Sequence, residues 1–339
     1  MPRVESERAL NGGNVIVERE RGLLEVEKRI NDLRTANVNQ PVDFSAEIAA
    51  LEQKYETLQR ELFGSLTPWE KVNMARHPSR PTSLDFIGQL DRFDELHGDR
   101  EFRDDPAVVA GFALLRGRPV MVMGQQRGRD TKENLKRNFG MVTPEGYRKV
   151  QRLAHTASRL GLPIVTFIDT KGADPGILSE EHAQSEAIAM CLYEFTEAGV
   201  PIVATIIGEG GSGGALALAI ADHVIMLEHS VYSVASPEGC AAILWGDAGK
   251  AEEAAARLKL TSADLLRFGI IDEIVDEPLG GAHRDPAGVI ATALGEVSHA
   301  VERLARMSAQ ELREARYRKY RRIGAWETER RGDNGLPAR

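Results

Sequence analysis

Cysteine is nearly absent: the 339 residues hold two, Cys191 and Cys240. They lie far apart, each among apolar neighbours, and no pair has metal-ligand spacing. The chain is therefore expected to carry no metal site of its own, and both thiols read as small buried hydrophobes. Cysteine this scarce fits a reducing compartment. Long apolar runs are missing too. No stretch reaches the ~18 consecutive apolar residues of a membrane span, and Met1–Glu20 is rich in charge without the apolar run of a signal peptide. The expectation is a soluble, cytoplasmic protein with no membrane partner. Nor is positive charge in excess. Lysine and arginine number 43 against 51 aspartates and glutamates, a net charge of −8. That balance argues against non-specific nucleic-acid binding but leaves room for a local basic patch that receives an anion.

What is present is ordinary globular material, with 42% hydrophobic and 28% charged residues and length for roughly two domains. Residues 1–22 read as a flexible tail. Leu23, Val26, Ile30 and Leu33 then recur at helical spacing. A break over Asn37–Pro41 follows, and Asp43 is the expected N-cap of a second helix with the stripe Phe44, Ile48, Leu51, Tyr55, Leu58 and Leu62. Two such helices make a hairpin arm over 23–80, either a packing appendage or a partner-docking arm, ending in the polar linker Arg76-His77-Pro78-Ser79-Arg80-Pro81. The core is expected over 81–285. Ala107–Leu115 and Pro119–Gly124 form a β-hairpin, and strands at Pro163–Ile168, Pro201–Ile207 and His223–Leu227 alternate with helices starting at Pro144, near Ile188 and at Ala215. That rhythm is the mark of an α/β fold with a largely parallel sheet. Helices follow over 286–326, one with the stripe Ile290, Leu294, Val297, Val301 and Leu304 and one opened by a Ser308–Glu311 capping box. Residues 327–339 read as a second flexible tail.

The segment Gly208-Glu209-Gly210-Gly211-Ser212-Gly213-Gly214 puts five glycines in seven residues between an apolar strand and a small-residue helix. Backbone stripped of Cβ atoms at a helix start exposes N–H groups that bind anions or hold an oxyanion, and that is the favoured reading. No Lys-Ser/Thr pair follows, so it is not a phosphate-binding P-loop. The spelling also satisfies the nucleophile-elbow pattern around Ser212, with Asp272 and His283 in the right chain order for a triad, and a tight turn without a ligand remains a third reading. Three other stretches border a site of this kind. Ser236-Pro237-Glu238-Gly239 reads as a helix N-cap that could also face a ligand. Asp169–Gly176, with Gly172 and Ala173, ends a parallel strand. Arg127–Asn138 carries a run of five cations, including Arg129, Lys132 and Arg137, and ends on Asn138; it is either a solvated face or an anion pocket.

Together these strings resemble the family of the α subunit of bacterial acetyl-CoA carboxylase carboxyltransferase. The matches are Phe93-Asp94-Glu95-Leu96, Gly98-Asp99-Arg100, Arg137-Asn138-Phe139-Gly140-Met141, Pro144-Glu145-Gly146-Tyr147-Arg148-Lys149, Gln184–Ala189, Gly208–Ala215, Ser236–Cys240 and Glu277–Arg284, in family order over roughly residues 23–323. The resemblance implies a crotonase-like (ClpP/crotonase) core of β-β-α units. It also implies a transfer of the carboxyl group from carboxybiotin, borne on a biotin carboxyl carrier protein, to acetyl-CoA, giving malonyl-CoA for fatty acid synthesis. The assembly implied is an α2β2 heterotetramer with a β subunit that carries a four-cysteine zinc site, within a larger complex that contains the ATP-using biotin carboxylase. By motif, the N–H groups of Gly213 and Gly214 would hold the biotin ureido oxygen, and a glycine pair on the β subunit would hold the acetyl-CoA enolate. Gly210, Gly211, Ser212, Gly172, Ala173, Ser236, Pro237, Glu238, Gly239, Arg129, Lys132, Arg137 and Asn138 would line the biotin and substrate site. One loop departs from the family: Lys171 and Asp174 stand where a proline and a tyrosine are expected, and His182-Ala183 replaces an Arg-Gly pair. A related acyl-CoA carboxylase subunit, a free-standing crotonase-type hydratase or hydrolase, and a non-catalytic partner are the alternatives.

Overall fold

A computed structural model describes residues 14–39 and 43–324. The predicted N-terminal tail is in part helix. α1 runs Val15–Asn39, starting eight residues before Leu23 because Asn14 caps it: its Oδ1 accepts from the N–H groups of Ile16 and Val17, and its amide donates to Asn73. Ile16, Leu23, Ile30 and Leu33 are buried along one face. α2, Ser45–Phe63, packs back on α1. Asp43 is not its cap residue, Phe44 is, but Asp43 Oδ1 accepts from Ser45 N–H at 2.9 Å. α3, Pro68–Ala75, opens with a Thr67–Glu70 capping box. The expected polar linker after it is not solvated: His77 and Arg80 are 5% and 2% exposed. α4, Ser83–Ile87, then leads into the sheet.

The sheet has eight strands: β1 Arg92–Glu95, β2 Val108–Leu115, β3 Arg118–Gln125, β4 Ile164–Thr170, β5 Ile202–Gly211, β6 His223–Leu227, β7 Val231–Ser233 and β8 Glu273–Val275. Their order is β1-β2-β3-β4-β5-β6-β8, with β7 on the far end of β5. The first two pairings are antiparallel and the rest parallel. β4 and β5 are buried throughout, as continuous apolar runs with helices on both sides must be.

In chain order the remaining α-helices are α5 Thr131–Lys136, α6 Pro144–Leu160, α7 Ile177–Glu181, α8 Gln184–Glu197, α9 Ser212–Ala219, α10 Pro237–Trp245, α11 Ala251–Leu258, α12 Ser262–Arg267, α13 Pro286–Leu304 and α14 Ala309–Arg321. The two-residue period of β5 divides its side chains between two cores. Ile202, Ala204 and Ile206 join Val150, Leu153 and Ala157 of α6, Cys191 and Phe195 of α8 and the alanines of α9. Val203 and Ile207 join Phe86 of α4 and the Ile290, Leu294, Val297, Val301 and Leu304 stripe of α13. Cys191 is a buried hydrophobe as expected; Cys240 is only half-buried. Arg316 of α14 is 1% exposed and donates to the carbonyls of Phe195, Ala198 and Val200 and to Asp222. It thus satisfies the open end of α8 and pins the C-terminal helix. The predicted capping box of α14 is present. Residues 1–13 of the N-terminal tail, 40–42 of the predicted break and 325–339 at the other end lie outside the described residues.

Candidate functional site

The predicted glycine turn is mostly strand. β5 continues through Gly208–Gly211, where β7 pairs with it, and α9 starts at Ser212 with no residue between. Gly211, in the cap position, has no side chain to take the amides of the first turn, which have no intrahelical acceptor. The loop after β4 presses directly on this junction. A Cβ at Gly211 would lie 2.1 Å from Lys171 O, and one at Gly214 would lie 2.4 Å from Ala173 N and 2.5 Å from Gly172 C. At Gly213 a Cβ would meet only the Ile188 side chain, at 3.6 Å. Glycine is thus required at 211 and 214 by the protein's own backbone, whereas a side chain at 213 would make only ordinary contact. Behind α9, Gly214 O accepts from Gln125 Nε2 at 2.7 Å and from the buried Tyr147 hydroxyl at 3.3 Å.

Charge surrounds the strand end. Arg76 Nη2 is 2.6 Å from Glu209 Oε1, and its Nη1 is 2.5 Å from Glu238 Oε1, so one guanidinium ties β5 to the start of α10. Burial works against the Arg76 cation, but the two carboxylates outweigh it and raise its pKa. Burial also opposes ionisation of Glu238, yet Arg76 and then the nearby Lys171 hold its carboxyl below the usual range. Arg80 donates to Ile207 O on β5 at 2.7 Å, to Ser230, and in bidentate fashion to Glu277. Arg127 Nε sits 2.9 Å from Asp169 Oδ2, and Asp169 Oδ1 accepts from Glu209 N–H at 3.0 Å. Burial pushes the Asp169 carboxyl up, against the Arg127 charge. Three arginines and four carboxylates therefore fix the glycine strand from behind. Arg76 and Arg80 were hidden in what the sequence offers as a linker, and no local pattern marked them.

The other expected residues divide. Gly172 and Ala173 lie on the glycine junction. Ser236 is the N-cap of α10, accepting from Gly239 N–H at 3.1 Å, with Pro237 in the first turn and Glu238 on Arg76. Of the cationic run, Lys132 and Lys136 lie on α5, while the flanking arginines are engaged within the chain. Arg129 pairs with Asp85, and Arg137 with Glu133 and Pro106 O. Asn138 donates to Met141 O and, at 2.9 Å, to Asp174 Oδ1. Lys132 is exposed. Asp174 also accepts from Ser179 Oγ at 2.5 Å and from Gly176 N–H. Burial opposes its charge, but these donors keep its pKa low. The aspartate thus stitches the loop that lacks the expected proline. Ser212 is exposed with φ of 55°. The residues proposed to complete a triad are committed elsewhere: Asp272 to Lys319 and Val224 N–H, His283 to Glu20.

The family described as acetyl co-enzyme A carboxylase carboxyltransferase-like matches residues 16–324. Among curated proteins, the acetyl-coenzyme A carboxylase carboxyl transferase subunit alpha of a Cyanothece species is 51% identical over 314 residues, 91% of this chain and 96% of the relative. The protein of the same description from Synechococcus elongatus is 49% identical over 313 residues, 92% and 96% of the two chains. Among solved structures, the hetero-dimer of Pseudomonas malonate decarboxylase aligns with a TM-score of 0.51 at 15% identity, over 64% of this chain and 90% of that one. The β subunit of Pseudomonas aeruginosa geranyl-CoA carboxylase aligns with a TM-score of 0.51 at 14% identity, over 77% and 52%. At these identities the structures bear on the fold alone, which is the crotonase-like α/β fold.

Proposed function

This chain belongs to the acetyl-CoA carboxylase carboxyltransferase family, and on that premise we propose that it acts as the enzyme's α subunit, transferring the carboxyl group of carboxybiotin to acetyl-CoA. The observation that carries the site is the junction at Gly211–Gly214: helix-start amides beside the uncrowded position Gly213, on a strand clamped by buried ion pairs. The amides of Gly213 and Gly214 hold the ureido oxygen of the biotin substrate as negative charge develops on it. Biotin supplies the carboxyl group and the basic nitrogen left behind; the chain supplies position and fixed dipoles, which can carry most of a rate enhancement. Gly210, Gly211, Gly172, Ala173 and the Ser236–Gly239 helix start form the walls, with Lys171 and Glu238 at the mouth.

The reading implies a partner. The described chain offers one such helix start for a reaction with two developing anions, so a β subunit supplies the donors for the acetyl-CoA enolate in an α2β2 assembly, and the zinc belongs to that subunit. Biotin arrives on a carrier protein. The setting is the cytoplasm; among the described residues no helix is long and apolar enough to cross a membrane.

The test is reconstitution with a four-cysteine β subunit, malonyl-CoA and biotin. Decarboxylation is expected with both subunits and none with this chain alone. No turnover at any ratio of subunits would overturn the reading. Ser212→Ala is expected to keep most of the activity; near-complete loss would favour a serine hydrolase instead.

A further inference from the structure

Far along the chain from the glycine junction, α1 buries a carboxylate between two histidines. Glu20, 4% exposed, has Oε2 3.1 Å from His77 Nε2 and Oε1 2.9 Å from His283 Nε2. The imidazoles stack with centroids 3.8 Å apart and planes within 14°. Ser79 N–H donates to His77 Nδ1 at 3.2 Å, so the proton of that ring is on Nε2 and points at Glu20. Two histidines and a glutamate are also ligand types for a metal. The stacking argues against one. An ion shared by parallel rings 3.8 Å apart would sit about half of that, roughly 1.9 Å, out of each ring plane. Metal–nitrogen bonds are only ~2.0–2.1 Å long and follow an in-plane lone pair. Arg284 Nη2, 3.5 Å from Glu20 Oε1, adds a cation where a metal would be.

The cluster is instead a clasp that closes a circuit. His77 belongs to the segment 76–80, whose Arg76 holds Glu209 and Glu238 and whose Arg80 holds Ile207 O and Glu277. His283 follows Ala282, whose N–H donates to the same Glu277 at 2.7 Å. Glu20 thereby ties the 76–80 segment, which grips β5 from behind, to the 277–283 segment, which holds Arg80 through Glu277. Arg127 donates to the Ala75 and His77 carbonyls and pairs with Asp169, closing the circuit on the β4 side.

We propose that Glu20 is a positioning residue for carboxyl transfer: acting through His77 and His283, it sets the 76–80 segment and hence the place of the Gly213 and Gly214 amides. The inference rests on the reading of those amides as the oxyanion donors. Misplacement of about 1 Å far from the chemistry can lower turnover ~100-fold, and a held segment should show its effect in kcat rather than KM.

The experiment uses the reconstituted α and β subunits with malonyl-CoA and biotin. Glu20→Ala is expected to lower kcat at least tenfold while both KM values stay within twofold, and Glu20→Gln, which keeps one acceptor oxygen, to recover part of it. Arg19→Ala, at the neighbour of Glu20 on α1, removes a pair with Glu70 of α3 and should leave kcat unchanged. The double variant Glu20→Ala/Arg76→Ala should be no slower than the slower single variant, because both act on one segment. Wild-type kcat in Glu20→Ala, whatever its melting temperature, or fully multiplicative losses in the double variant, would overturn the proposal. Should Glu20→Ala fail to assemble, Glu20→Gln decides: a threefold or larger kcat loss at unchanged KM supports it, and wild-type kcat sinks it. An inactive wild-type complex would sink the carboxyl-transfer reading and this inference with it.

Discussion

Two neighbouring glycines should answer the same substitution in opposite ways. A methyl group added at Gly214 lies 2.4 Å from Ala173 N and 2.5 Å from Gly172 C. Those are backbone atoms and cannot rotate away. Ordinary contact begins near 3.4 Å, so the 172–173 loop or the start of α9 must move by about 1 Å. Overpacking of this kind costs ~1–3 kcal/mol, and the displaced donors should lose turnover by about a hundredfold. At Gly213 the same methyl meets one Ile188 carbon at 3.6 Å. Gly213→Ala should leave stability unchanged or raise it by about 0.5–1 kcal/mol, since alanine is the better helix residue. Its effect should fall on turnover alone, by crowding the position proposed for substrate. Thermal unfolding of both variants, beside malonyl-CoA decarboxylation with the β subunit, separates the two. Equal destabilisation, or a stable Gly214→Ala, would refute the packing argument. Full activity in a stable Gly213→Ala would refute the placement of substrate at that position.

Other residues make comparably sharp predictions. Arg76→Ala should cost about 3 kcal/mol by leaving Glu209, 5% exposed, charged and unpaired. Glu238→Gln should cost under about 1 kcal/mol because that side chain is 38% exposed; urea midpoints test both. Ala183 holds φ of 62° and ψ of 56° at the cap of α8, a left-handed conformation that costs a residue with a Cβ ~1–2 kcal/mol. Ala183→Gly should therefore raise stability by about 0.5–1 kcal/mol, readable as a higher melting temperature. Acid should loosen the Glu20 clasp. Burial opposes the Glu20 charge, but the bonds from His283 and His77 bring its pKa from 4.5 to about 2. Burial pushes His77 below 6.5, against its bond to Glu20. Both groups give stability that is present above their ordinary values and lost as pH falls beneath them. The loss begins below about 6.5 through His77 and continues below about 4.5 through Glu20. Glu20→Gln should remove the part of the loss that lies below about pH 4.5, read in melts from pH 6 to 2.5, and leave the His77 part above it in place. An unchanged acid limb would show that the clasp does not carry it.

The sheet and its covering helices were legible because their signals are local. The apolar runs of β4 and β5, the α6 and α13 stripes and the Ser308 capping box each state their structure within a few residues. The glycine segment was legible as chemistry but not as geometry. Its extension into β5 depends on β7, which pairs with it from further along the chain. Arg76 and Arg80 were illegible because their partners lie 127 to 197 residues away, and a polar run with prolines looks the same whether solvated or buried. Asn138 and Arg137 suggested an anion pocket because their types suit one. Their donors go to the carbonyls of Met141 and Pro106, acceptors every residue has and no sequence pattern marks.

The loop over residues 171–176 and the strand beneath it differ in what they leave to natural variation. The strand and the helix that follows it touch the loop through backbone at Gly211 and Gly214, where any side chain collides, so little there can drift. The loop is fastened by the side chains of Asp174, Asn138 and Ser179, and fastenings of that sort can be exchanged one residue at a time. Divergence among these subunits in pace or in choice of acyl group should accumulate in that loop, while the donors below it stay as they are.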